Sequence, residues 1–281
     1  MTDSTGQTVD ADTGFEGWQR EWRDERPDWR LIEVFFPVSR APVAIALEIL
    51  SSEWLEAGLA IREPDVARRK LAWWIEEIGE FAAGKARHPL TRAVTGEVGA
   101  DRVAPSLARA VAAAISLVEI EAVSSTEDLV AAATPFASAI VESAEALQLW
   151  TQSPAMPIRG LAAAAVADLV RDWERFSRPE RGLVPLSLLA RHGIDRASAN
   201  AGDAAEACDA LVRDFALELQ VAVSADPAFG LAGAKMAIAR LWLDAMARAP
   251  RAARERRLSL PRFRLPWVLW SVARASRKQD Q

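Results

Sequence analysis

Two carboxylates in the run ADLVRDWERF, Asp168 and Asp172, stand four residues apart and share a face if the segment is helical. Magnesium takes oxygen ligands and needs few protein carboxylates when a substrate phosphate completes its shell, so such a pair suits one metal ion. A third carboxylate on that face would fall at position 176, which holds Phe176. Arg171, Arg175 and Arg178 lie close by in the sequence, so the same acids also read as an arginine-paired helix face. Glu53 and Glu56, the other acids of interest, read first as surface charges. Two histidines and one cysteine, Cys208, leave no His-rich metal site and no Cys-His dyad to expect. There is also no phosphate-cradling Gly-rich loop and no GxSxG elbow, so any catalysis must come from carboxylates.

The elements that position these residues are expected to be helices. The 281 residues, 51% hydrophobic, supply ample core, and strand-like alternation is absent throughout. Residues 65–83 carry Leu71, Trp73, Trp74, Ile75, Ile78 and Phe81 as an apolar stripe with charge between, and Gly84 ends the segment. Residues 41–61 read as amphipathic, closed by Pro64, and Ser125 to Asp128 supply cap residues for a helix reaching Trp150. His88-Pro89 opens a short segment with His88 at a helix boundary, and His192 suits a helix C-terminus. Pro154 and Pro157 precede a helix over 158–176, and long helices are expected over 198–225 and 227–249. The whole reads as an all-α single-domain bundle over residues 16–250, with a disordered arm over 1–15 and a basic tail over 251–281.

Charge and composition bound the surroundings. The lone cysteine fits a reducing compartment, and the polar, acidic N-terminus gives no expectation of a secretory signal or transit peptide. No apolar run approaches the roughly 18 residues a membrane span needs, so a cytoplasmic protein is expected. The net charge of −5 argues against nucleic acid as a partner, but from Arg248 onward ten Arg or Lys face two acids, about +8, leaving about −13 for the rest. In that tail Arg262, Arg264, Trp267 and Trp270 interleave cations with aromatic rings, and two readings stand: an interfacial helix on anionic lipid, or an apolar side docked back on the bundle.

Three segments together resemble the squalene and phytoene synthase family. Residues 68–94, RRKLAWWIEEIGEFAAGKARHPLTRAV, are similar to its WW-to-HP stretch. Residues 159–194 are similar to its second Asp-rich region, and residues 35–58 occupy the place of its first. The resemblance implies a prenyl-synthase bundle around a central apolar cavity, in which two Asp-rich motifs hold magnesium against the diphosphates of two prenyl chains. The first motif is lost: its outer acids fall on Leu55 and Leu59, only Glu56 keeps a carboxylate, and the family's tyrosine falls on Glu48. The second is half present, with Arg171-Asp172 matching its "RD", Asp168 replacing an asparagine and the later acids falling on Arg175 and Phe176.

Two functional readings follow from the resemblance. One is a diverged protein without condensation activity that binds a lipid or prenyl chain or assists assembly, similar to the family's complex I assembly-factor branch. The other is a prenyltransferase of isoprenoid biosynthesis acting on prenyl diphosphates with magnesium. In the second, Asp168 and Asp172, with Glu56 across the cavity, hold the metal and Arg171 the diphosphate. In both, Trp73 and Trp74 read as bundle-packing residues that wall a lipid-shaped pocket.

Overall fold

A computed structural model describes residues 10–36, 41–95, 99–149, 156–200, 205–224, 230–256, 258, 260 and 263–279. Among them the ordered elements are all helical. They run α1 (Asp10–Glu25), α2 (Pro27–Phe35), α3 (Ala41–Leu59), α4 (Pro64–Ala82), α5 (Pro89–Thr95), α6 (Ala100–Val118) and α7 (Thr126–Ala146). Then follow α8 (Ile158–Val170), α9 (Trp173–Phe176), α10 (Leu186–His192), α11 (Ala205–Ser224), α12 (Gly230–Arg248), α13 (Pro250–Glu255) and α14 (Arg264–Gln279). Helix α1 starts inside the stretch read as an arm, while residues 1–9 lie outside the described residues.

Helix starts follow local chemistry. Pro27 and Pro64 open α2 and α4 at first-turn positions, where a missing N–H removes no intrahelical bond. Ser125 caps α7 as expected, its hydroxyl accepting the Asp128 N–H at 3.1 Å, although α7 stops at Ala146.

Helix α3 departs from the amphipathic reading: thirteen of its nineteen residues are buried, so it is a core helix covered on most sides. It packs against α4, α5, α6 and α7, while α8 packs against α7, α11 and α12. A Cβ at Gly58 would stand 2.8 Å from the Ala114 carbonyl oxygen, so glycine lets α3 press on α6. The buried Arg181 donates to the carbonyls of Gly58 at 2.6 Å and Leu59 at 3.2 Å, satisfying the end of α3.

The run ADLVRDWERF is not one helix. Helix α8 ends at Val170, and Asp172 leaves helical geometry (φ −106°, ψ 78°) to cap α9, accepting the Arg175 N–H at 3.2 Å. Asp168 and Asp172 therefore share no helix face. Phe176 is core, 6.0 Å from Trp173 and 5.6 Å from Phe215 between ring centroids.

Candidate functional site

Helices α1, α2, α3, α8 and α12 wall a cleft of about 100 Å³. Its apolar lining includes Trp22, Trp29, Leu55, Ile238 and Trp242, and its charges are Arg26, Asp28, Glu48, Asp168 and Lys235. Glu48 and Lys235 enter from α3 and α12, each the only charge in a long apolar run (AIALEIL, GLAGAKMAIA). They pair across the cleft, Lys235 Nζ donating to the two Glu48 carboxylate oxygens at 2.9 and 2.7 Å.

The second charged group lies where α8 meets α2. Arg171 donates to Asp168 at 2.8 Å and to Asp28 at 3.4 Å, and its guanidinium stands 4.0 Å from the centroid of the Trp242 ring. Arg26 closes on the other oxygen of Asp168. Burial disfavours the Asp168 carboxylate, but the attraction and hydrogen bonds of Arg26 and Arg171 outweigh it and hold its pKa well below the ordinary range. Each cation at the cleft thus has a carboxylate, and the charges of Arg26, Arg171 and Lys235 balance those of Asp28, Glu48 and Asp168.

Several polar atoms around this cleft have no hydrogen-bond partner: Asp28 Oδ1, Arg171 Nε and the indole nitrogens of Trp22, Trp29 and Trp242. All five side chains are buried. Unpaired buried polar groups are rare in folded proteins and cost about 1–3 kcal/mol each. The indole nitrogens of Trp54 and Trp173 in the packed core are likewise unpartnered, and what sets the cleft group apart is its place: Trp22, Asp28, Trp29 and Trp242 line the cleft and Arg171 stands behind them.

The residues singled out from the sequence are dispersed. Asp168 lines the cleft and Arg171 stands behind its wall, but Asp172 and Glu56 are not among the lining residues. Glu56 is held by Arg175, and Glu53 pairs with Lys70 at 2.6 Å. Trp73 and Trp74 do not wall the cleft either. Trp74 is buried 5.7 Å from Trp54 and 4.9 Å from His88 between ring centroids, while Trp73 is 39% exposed. Leu55 lines the cleft and Leu59 is fully buried, and these are the positions at which the resemblance would put two further carboxylates. Among the described residues no three Asp, Glu, His or Cys side chains are placed to hold a metal ion.

Sequence reasoning missed Asp28, Lys235, Trp22, Trp29 and Trp242 as cleft residues. The sequence marks Glu48 only as a residue that stands where the resemblance has a tyrosine. The available signal was a single charge interrupting an apolar helix, which burial makes costly unless it is paired.

The architecture defines a class: this is the all-α isoprenoid synthase fold of squalene/phytoene synthase-like proteins. A dehydrosqualene synthase crystallised with ligand superposes with a TM-score of 0.61 over 95% of this chain and 98% of that one, at 14% identity. Squalene synthase HpnC from Alicyclobacillus acidocaldarius gives a TM-score of 0.52 over 97% and 96%, at 18% identity. No protein-family model and no curated protein sequence matches the chain.

Proposed function

We propose that this chain is a binding protein on the isoprenoid synthase fold. It takes one apolar-bodied lipid of isoprenoid type, with an uncharged oxygen-bearing head, and does not ionise prenyl diphosphates. The carrying observation is the closed charge balance of the cleft, where Lys235 is paired with Glu48 and Arg26 and Arg171 with Asp168. A diphosphate brings several negative charges into surroundings that have no spare cation, and breaking a buried pair to free one costs about 3–5 kcal/mol.

A hydroxyl or carbonyl adds no charge and meets what the wall has to offer. Among the lining side chains the indole N–H groups of Trp22, Trp29 and Trp242 are donors, and Asp28 Oδ1 is an acceptor. The cleft volume, about 100 Å³, also lies below the roughly 300–1,000 Å³ of small-molecule pockets, which suits the head and first part of one chain rather than two chains side by side.

Calorimetry with farnesol and with a non-hydrolysable farnesyl diphosphate analogue, each with and without magnesium, tests the reading. Farnesol binding that magnesium does not alter is expected, with the analogue weaker under both conditions. Magnesium-dependent binding of the analogue that Asp168→Asn abolishes would favour the prenyltransferase reading instead.

A further inference from the structure

Helix α14 has two unlike sides. Leu265, Leu269 and Ala273, spaced by four, are buried, and the helix packs against α12 and α2. The docked reading of the tail therefore describes its inner side. The outer side is left with apolar surface that docking does not explain: Phe263 is 93% and Trp267 67% exposed. The Trp267 and Trp270 rings lie tilted to each other with centroids 5.0 Å apart, and the Arg274 guanidinium stands 5.4 Å from the Trp270 ring.

Further along the outer side the character turns cationic. Arg274 and Arg277 are exposed and have no carboxylate partner among the described residues, whereas Arg264 touches Asp244 at 3.3 Å. No acidic residue occurs in Arg264–Gln279. Arg262 lies outside the described residues. Exposed aromatic rings at the start of the helix, followed by unpaired arginines further along it, form the pattern that seats tryptophan at a lipid interface and arginine against anionic headgroups.

The geometry points to α14 as the contact by which this protein sits on an anionic lipid surface, lying in the interface. No described helix is long and apolar enough to cross a membrane. The charge distribution selects the orientation. The residues before Arg248 carry about −13 and are repelled by anionic headgroups, while those from Arg248 onward carry about +8 and are attracted. The inner side of α14 rests on α2 and α12, two walls of the cleft, so this contact would hold the cleft beside its lipid source.

Co-sedimentation of the full chain with vesicles tests the inference independently of what the cleft binds. The vesicles are phosphatidylcholine alone and phosphatidylcholine mixed with phosphatidylglycerol, each at low and high salt. The protein is expected to pellet with the mixed vesicles, to be released by salt and to ignore pure phosphatidylcholine. Arg274→Gln and Arg277→Gln should each weaken binding about fivefold. Phe263→Ser with Trp267→Ser should abolish it, while Val221→Ser, at an exposed position on α11, should leave it unchanged. Unaltered circular dichroism confirms that each variant folds. No pelleting with anionic vesicles, or pelleting that the α14 variants do not change, would overturn the inference and direct this surface to a protein partner.

Discussion

Two buried polar clusters in this molecule differ in one respect. Glu77 on α4 is fully buried, and its carboxylate accepts the backbone N–H groups of Arg87 and His88 at 2.8 Å each and the Thr91 hydroxyl at 2.7 Å. Above it His88 accepts the Leu90 N–H through Nδ1 at 3.2 Å and sits among the rings of Trp18, Trp73 and Trp74. That cluster ties the turn before α5 to α4 with every carboxylate contact made. The cleft network leaves five polar atoms unpartnered. Saturated polar groups are scaffolding; under the proposed function, the unmet donors and the one unmet acceptor at the cleft are what a ligand's head would complete.

The largest effect expected from this contrast is on stability. Glu77→Ala strands two backbone donors and a hydroxyl inside the protein and should lower unfolding free energy by about 3–5 kcal/mol in urea denaturation. Asp28→Asn in the cleft should cost about 1 kcal/mol or less, because one oxygen is already unpartnered and the other makes only a 3.4 Å contact. The same variant should weaken farnesol binding about tenfold. A large stability loss at Asp28 would make the cleft a second scaffold and erase the contrast.

A smaller effect appears against pH. Burial lowers the His88 pKa from 6.5, and the charges of Glu77 and Glu53 only partly offset it. The unfolded chain therefore takes up a proton first as pH falls, so stability is complete above about 6.5 and declines below it. His88→Asn should flatten that decline in urea midpoints measured between about pH 5 and 7. Glu77 acts lower on the scale. Burial opposes its ionisation, but the bonds from His88, Thr91 and Arg87 hold its pKa below 4.5, so its contribution is complete above 4.5 and is lost as pH falls through the depressed value. Smallest of all, Glu53→Gln breaks a partly exposed pair with Lys70 and should shift stability by no more than about 1 kcal/mol.

The helices were legible in the sequence because prolines, caps and apolar spacing are local signals: α4 begins at Pro64, α7 at the Ser125 cap and α5 after His88. The break between α8 and α9 was not, since LVRDWERF has no Pro or Gly. It arises from Asp172 turning its carboxylate onto the Arg175 N–H. The stripe on α4 was partly misread for a related reason. Ile75 and Trp73 are exposed while Glu77 is buried, and what stabilises Glu77 there is a loop ten residues on. The candidate site was half legible. Asp168 is marked by its spacing from Asp172 and Arg171 by the resemblance, but Asp28 reaches Arg171, and Lys235 reaches Glu48, only across the fold, which no local spacing encodes.

The central claim is that the carboxylates at the cleft serve as partners to arginine and lysine and do not promote departure of a diphosphate. Incubating the protein with farnesyl diphosphate and magnesium and following release of inorganic diphosphate tests it most directly. The account predicts release no faster than in buffer alone and no prenyl product. Release above that background, lost in Asp168→Asn, would contradict it and make the cleft a working active site.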